Sequence, residues 1–191
     1  MKANRLRRLG IFLAVTLLPS GMAFAAQDSD LLPYWANPAP SHAGRVRVVE
    51  TGNVPRTVAV QHSLRTIPGR REPIGKRIIE VPDNRKGSGP HASRFGFVAY
   101  VPKGAIARGR TLVESGSGAF PCAACHGPAY KGNGAVPALA GRSPSGLVRQ
   151  LYDFKHGARG GPAADMMKPE VANMTADMRL DIAAYLASLT P

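Results

Sequence analysis

The sequence is short of acidic residues and of cysteine, and both shortages limit what the chain can be. Its 191 residues include 12 Asp plus Glu against 25 Lys plus Arg, a formal net charge of +13. Such an excess favours acidic partners, anionic surfaces or nucleic acid. Two cysteines permit at most one intrachain disulfide, which excludes a multi-bridge scaffold. The length excludes a large multidomain enzyme and allows one ordinary domain, or a small domain with an extension.

The first 25 residues have the pattern of a secretory signal peptide. Four basic residues precede an apolar run over 9–18, and Ala23 and Ala25 supply small residues for cleavage after Ala25. The run is shorter than the roughly 20 residues that span a bilayer, so no stable transmembrane segment is expected after cleavage. We therefore predict a periplasmic or otherwise exported protein, for which nucleic acid is not a partner.

Residues 26–102 form a Pro- and Gly-rich segment without cysteine. Short runs over 45–50, 57–60, 77–81 and 95–101 are rich in Val, Ile and aromatic residues and are bounded by Pro or Gly, as strands are. This texture predicts an irregular or short-stranded extension of unknown fold, and we place its boundary near Pro102 and Lys103.

The remaining residues, 103–191, predict three short amphipathic helices. The first covers 105–114, the second starts at Ser143 with Pro144 as its first helical residue, and Thr175 caps the third. Three such helices bury little apolar surface by themselves, so a tightly bound cofactor is expected to complete their core.

Cys122, Cys125 and His126 form a C-x-x-C-H motif, which is the attachment pattern of c-type haem. Two thiols three positions apart can join the two vinyl groups of one porphyrin, and the adjacent imidazole can bind its iron. The motif predicts one covalently attached haem c. A thioredoxin-type redox pair, a zinc site and a plain structural disulfide are the alternatives, but neither a neighbouring βαβ unit nor a second cysteine pair is visible.

Around this motif the chain resembles a known family, the class I bacterial c-type cytochromes, and in particular the domains paired in periplasmic di-haem cytochromes. The shared features are a helix with Gly109 before the motif, the sequence Cys-Ala-Ala-Cys-His-Gly over 122–127, a Gly- and Pro-containing loop after it, a Met pair and a last helix with Tyr185. The resemblance implies an all-α class I cytochrome c domain over 103–191, with three main helices around the haem. It does not extend to residues 26–102.

The resemblance also implies the remaining groups of the site. The second axial ligand of the iron is expected to be a methionine between the second and third helices. In related domains it lies eight residues before the Ser or Thr that opens the last helix, which indicates Met167, with Met166 as the alternative. The backbone carbonyl of Pro137 is expected to orient His126. His42, His62, His91 and His156 are ligands in principle, and are more simply solvated or capping residues.

These features together predict an electron carrier rather than an enzyme, because two protein ligands leave the iron no vacant position for a substrate. Its positive charge would steer it toward acidic redox partner proteins.

A second hypothesis makes it a fixed cytochrome subunit of a dehydrogenase or terminal oxidase complex, docked through residues 26–102. A third is a haem sensor or catalyst that binds a gas or peroxide after losing its methionine. The sequence leaves the partners, the direction of electron flow and the reduction potential open.

Overall fold

The computed structural model describes residues 46–60, 63–83, 96–118 and 120–191. The predicted signal peptide over 1–25 and the histidines His42, His62 and His91 lie outside the described residues.

The described part of residues 26–102 forms two β-sheets rather than irregular chain. A three-stranded sheet has the order β1 (Val46–Thr51), β5 (Phe97–Pro102), β4 (Ile79–Pro82), with β1 parallel and β4 antiparallel to β5. A separate two-stranded antiparallel sheet pairs β2 (Asn53–Val60) with β3 (Ser63–Pro73).

These sheets show that the predicted all-α fold class is wrong for this chain. The sequence predicts an irregular or short-stranded extension of unknown fold, without indicating which strands pair. In the structure Val46 pairs with Phe97, some fifty positions along the chain, and this pairing satisfies backbone hydrogen bonds that isolated strands would leave to water. The central position of β5 explains why Phe97, Val98, Ala99 and Val101 are all buried, on both faces.

The rest of the described chain consists of helices joined by loops. Its helices are α1 (Ala105–Ser115), α2 (Ala123–His126), α3 (Pro144–Lys155), α4 (Pro162–Asp165), α5 (Lys168–Val171) and α6 (Ala176–Ser188). The predicted caps are confirmed, since the Ser143 hydroxyl accepts a hydrogen bond from the Gly146 amide at the start of α3 and the Thr175 hydroxyl accepts one from the Met178 amide at the start of α6.

Helices α1 and α6 cross with almost no space between their backbones. A Cβ atom at Gly109 would lie 1.9 Å from the carbonyl oxygen of Asp181, so no side chain fits at this position. Next to the crossing, the Arg108 guanidinium donates two hydrogen bonds, of 2.7 and 2.8 Å, to the carboxylate of Asp181.

Sheet and helices share one hydrophobic core. Ile78 and Val101, from the sheet side, are buried in the same cluster as Val113 of α1, Leu147 of α3 and Leu180 of α6. A smaller cluster covers the other face of the sheet, formed by the buried residues Val54, Ile74, Ile79, Val81 and Val98. The domain boundary near Pro102 and Lys103 stays a prediction, and the chain on its two sides is joined by this common core.

Glu80 adds a polar connection between the sheet and the helices. Its carboxylate is buried, accepts a hydrogen bond of 2.9 Å from the Ser143 hydroxyl and accepts another of 2.8 Å from the Ser145 amide at the start of α3. Burial raises the pKa of Glu80, and the hydrogen bonds from Ser145 and Ser143 oppose this shift.

None of the helices in the described ranges is long and apolar enough to cross a membrane.

Candidate functional site

The C-x-x-C-H motif forms one helical turn. Cys122 precedes α2, and its carbonyl oxygen accepts a hydrogen bond of 3.0 Å from the His126 amide. The Cys122 amide in turn donates to the Val113 carbonyl at 3.2 Å, which fixes the turn against α1. Cys122 is half-buried, Cys125 is exposed, and neither forms a disulfide. The i, i+3 spacing on one turn places both thiols on the same side of α2.

His126 is buried, with 7% of its surface exposed, and one of its ring nitrogens is held by the backbone. Its Nδ1 lies 2.8 Å from the carbonyl oxygen of Pro137. A carbonyl can only accept, so this hydrogen bond requires the proton on Nδ1 and leaves the lone pair on Nε2. Among the described residues Nε2 has no hydrogen-bond partner, so it is available to a metal ion.

The loop after the motif must turn back sharply to bring Pro137 to His126. The Gly132 amide donates a hydrogen bond of 2.8 Å to the His126 carbonyl, and Asn133 and Val136 then exchange backbone hydrogen bonds of 3.0 and 2.9 Å. Gly132 has φ of 91°, and a Cβ atom there would lie 2.9 Å from the Val136 carbonyl oxygen. This position therefore requires glycine.

The Cys122 thiol is protonated at neutral pH. Burial, followed by the negative charge of Glu170, raises its pKa to about 11. Dithiol–disulfide catalysts instead depend on a cysteine of lowered pKa, because the thiolate is the nucleophile. The electrostatics of this site thus disfavour the thioredoxin-type alternative.

Methionines near the motif differ sharply in burial. Met166 is 68% exposed, whereas Met167, directly before α5, is half-buried and packs against the main hydrophobic core. Met174 is a core residue with 2% exposure, and Met178 is half-buried on α6. The half-buried Met167 is the methionine of the pair whose side chain reaches the interior.

The short helix that follows Met167 lies against the segment that leads into the motif. The Glu170 carboxylate accepts a hydrogen bond of 3.3 Å from the Phe120 amide, two residues before Cys122. A Cβ atom at Gly118 would lie within 2.5 Å of the Glu170 Cα, so the two segments touch. This contact places the segment that follows Met167 next to the segment that leads into Cys122.

Sequence reasoning missed Glu170. Nothing in its neighbourhood in the sequence distinguishes it from a solvated acidic residue, and its contact with Phe120 spans fifty positions.

Of the four other histidines, His156 is the one that the structure describes. It ends α3 and its ring lies 4.0 Å from that of Tyr152.

The donor set fits a covalently attached haem better than a bare metal ion. Within the described ranges, no three His, Cys, Asp or Glu side chains converge as they would around zinc. The structure instead presents two unpaired thiols on one turn, an imidazole with its tautomer fixed, and a thioether reaching the core nearby. These are the donors that a c-type haem uses.

Comparison with known proteins identifies the group to which this site belongs. The family model described as cytochrome c matches residues 106–190. Cytochrome c-554(547) of Halothiobacillus neapolitanus is 32% identical over 94 residues, which are 45% of this chain and 98% of that protein. The chain belongs to the cytochrome c family. Its cofactor is therefore covalently bound haem c with its iron, and this cytochrome transfers electrons rather than catalysing a reaction.

Other similar proteins are cytochromes c4. That of Thiocapsa roseopersicina is 43% identical over 70 residues, which are 35% of this chain and 33% of that protein. The solved cytochrome c4 structure from Acidithiobacillus ferrooxidans covers 44% of this chain and 49% of its own, with 30% identity and a TM-score of 0.40. The chain thus spans about a third to a half of these cytochromes c4. The family match begins within α1, so the five strands of the described residues precede it.

Proposed function

We propose that this cytochrome is an exported carrier with one haem, attached through Cys122 and Cys125, whose iron is held by His126 and Met167. When bound, the haem supplies one-electron chemistry, since its iron alternates between the ferric and ferrous states. The observation that carries the assignment is the hydrogen bond between His126 Nδ1 and the Pro137 carbonyl. It fixes the tautomer and leaves the Nε2 lone pair of the neutral ring free, which is what a metal-binding histidine needs.

Met167 is the better candidate for the second axial ligand. Its side chain packs against the same core as Cys122, while that of Met166 is largely exposed to solvent. Adjacent residues in a helical turn point in directions about 100° apart, so the two cannot both face one iron. A thioether and an imidazole together would fill both axial positions and leave no site for a substrate.

We further propose that the protein is exported and that its redox partners have acidic surfaces. The signal-like segment over 1–25 supports export, and the periplasm is the compartment we propose. The excess of basic residues supports partners with acidic surfaces, because opposite charges accelerate the encounter and salt weakens it.

A second candidate function is a fixed subunit of a dehydrogenase or terminal oxidase complex, docked through residues 26–102. It is favoured by the paired strands β2 and β3, whose side chains at successive positions are exposed on both faces. A freely diffusing carrier has no evident need for such a projecting element.

The test of the attachment site compares Cys122→Ser/Cys125→Ser with Ala124→Ser. The control adds a hydroxyl at an exposed position of the same turn and keeps both thiols. We expect the double variant to lose the haem stain after denaturing electrophoresis, and Ala124→Ser to keep both the stain and the reduced-minus-oxidised spectrum. A double variant that retains its stain under denaturing conditions would contradict attachment at these cysteines.

A further inference from the structure

The strands β2 and β3 form a hairpin that projects from the rest of the molecule, and we call residues 53–60 and 63–73 the basic hairpin. Beyond its base, most of its described side chains on both faces are exposed. Val58 pairs with Arg65 on one face and both are exposed, and on the other face Thr66 is exposed opposite the half-exposed Thr57. Two-stranded sheets are marginally stable alone, so the exposure of a two-stranded sheet of this length requires an explanation.

The base of the hairpin is firmly anchored. Val54 is fully buried and Ile74, directly after β3, is 3% exposed, both in the smaller core. The Ile74 amide donates a hydrogen bond of 3.0 Å to the Gly52 carbonyl. The Arg77 guanidinium donates to the Glu72 carboxylate at 3.1 Å and to the Ile74 carbonyl at 2.8 Å. The hairpin is therefore a fixed projection of the fold.

Positive charge dominates the basic hairpin as a whole. It contains four arginines and one acidic residue: Arg56, Arg65, Arg70, Arg71 and Glu72. The Glu72 carboxylate is already shared, lying 3.9 Å from Arg56 and 3.1 Å from Arg77. Arg71 donates to the backbone carbonyl of Asn53. Among the described residues, Arg65, Arg70 and Arg71 have no carboxylate partner within salt-bridge distance.

The composition of the hairpin indicates what these arginines bind. All its basic residues are arginine, and the planar guanidinium matches a carboxylate with two parallel hydrogen bonds. It contains no Trp, Tyr or Phe, the residues that anchor proteins at membrane interfaces and stack on bases. These features favour a protein surface rich in Asp and Glu over a lipid or a nucleic acid.

We propose that the basic hairpin docks an acidic protein surface through Arg65, Arg70 and Arg71. The proposal deepens the second candidate function, on which it rests, by naming the element and the chemistry of its partner. Because the hairpin is built outside the family match, this docking is separate from the residues that hold the haem.

The test uses the full haem-loaded chain and labelled poly-L-glutamate as the probe, with binding measured by fluorescence anisotropy at several salt concentrations. The hairpin variant is Arg65→Gln/Arg70→Gln/Arg71→Gln. The matched control is Arg110→Gln/Arg149→Gln/Arg159→Gln, which removes the same charge from exposed positions on the helical side. We expect the hairpin variant to bind about tenfold more weakly with a shallower salt dependence, and the control to stay within about twofold of wild type.

Equal losses in the two triple variants would show that binding follows net charge alone, and would overturn the proposal. A larger loss in the control would do the same. Wild-type binding to phosphatidylglycerol vesicles without binding to poly-L-glutamate would identify a lipid instead. The single variant Arg65→Gln, expected to lose about two- to threefold, covers the case in which the triple variant misfolds.

Haem content and the reduced-minus-oxidised spectrum are recorded for every variant. We expect both to be unchanged in the hairpin variant. Loss of covalent haem from the wild-type chain would overturn the proposed electron-transfer site while leaving the docking result intact, so the two failures are distinguishable.

Discussion

Single residues at the candidate haem site are held in one orientation or protonation form by hydrogen bonds to neighbouring residues. The Pro137 carbonyl sets the tautomer of His126, and the resulting hydrogen bond also increases the basicity of Nε2, the nitrogen that we propose as the iron ligand. The C-x-x-C-H motif could be read from the sequence because its residues are contiguous. The contact of Glu170 with Phe120 could not, since it depends on how two distant loops meet.

The choice between Met167 and Met166 is tested at this scale. Met167→Ala should abolish the weak ferric charge-transfer band expected of sulfur bound to iron. It should also lower the reduction potential by on the order of 0.1 V, within the roughly 0.8 V that axial ligands span, because a soft thioether favours ferrous iron. Absorption spectroscopy and a redox titration of the haem-loaded chain give both values.

Met166→Ala is the matched control, since it removes the same side chain from a position that is 68% exposed. It should leave the band and the potential as in wild type. The reverse pattern, with the band lost in the Met166 variant and kept in the Met167 variant, would move the ligand by one residue.

Elements were predictable where their signals are local. Caps and helical periodicity gave α1, α3 and α6 close to their observed bounds, because Ser143 and Thr175 act on amides three residues away. The strand β3 was not predicted. Its sequence, Ser-Leu-Arg-Thr-Ile-Pro-Gly-Arg-Arg-Glu-Pro, resembles a loop, and it forms a strand because β2 pairs with it on both sides of an irregularity between Pro55 and Thr57.

The close crossing of α1 and α6 predicts that a side chain at position 109 destabilises the fold. Gly109→Ala places a Cβ atom 1.9 Å from the Asp181 carbonyl oxygen and 2.9 Å from the Cβ of Tyr185, so the helices must move apart. Overpacking of this kind costs about 1–3 kcal/mol, and contact with backbone places this site at the upper end. Thermal unfolding followed by circular dichroism measures the loss.

Gly160→Ala serves as the control for this substitution, because a Cβ atom at Gly160 meets nothing within 4 Å. Its unfolding temperature should match wild type. A Gly109→Ala variant as stable as the control would mean that the backbones of α1 and α6 do not approach this closely.

At the scale of the whole molecule, the chain joins a cytochrome c segment to a β-structure that the family match leaves out. The strands of the described residues all lie in the Pro- and Gly-rich segment, before Lys103. The sequence could not indicate how they meet, because the meeting depends on pairs such as Glu80 and Ser143, which are 63 positions apart. A buried carboxylate at a helix start has favourable hydrogen bonds and an unfavourable loss of hydration, and only the structure shows both.

Glu80→Gln tests this junction through the pH dependence of stability. Burial raises the pKa of Glu80 above its ordinary value of 4.5, so as pH rises past 4.5 the unfolded chain releases this proton before the folded chain does. Wild-type stability should therefore fall through that interval until Glu80 ionises in the folded state, whereas it is fully retained below 4.5. Glutamine keeps an acceptor for the Ser145 amide and has no proton to release, so the stability of Glu80→Gln relative to wild type should increase with pH.

Glu114→Gln is the matched control. It removes the same charge at an exposed carboxylate on α1, so it measures how the loss of one negative charge alone changes the stability. Denaturant unfolding of the haem-loaded chains between pH 4 and 8 measures the difference, and parallel curves for the two variants would show that Glu80 is not desolvated at this junction.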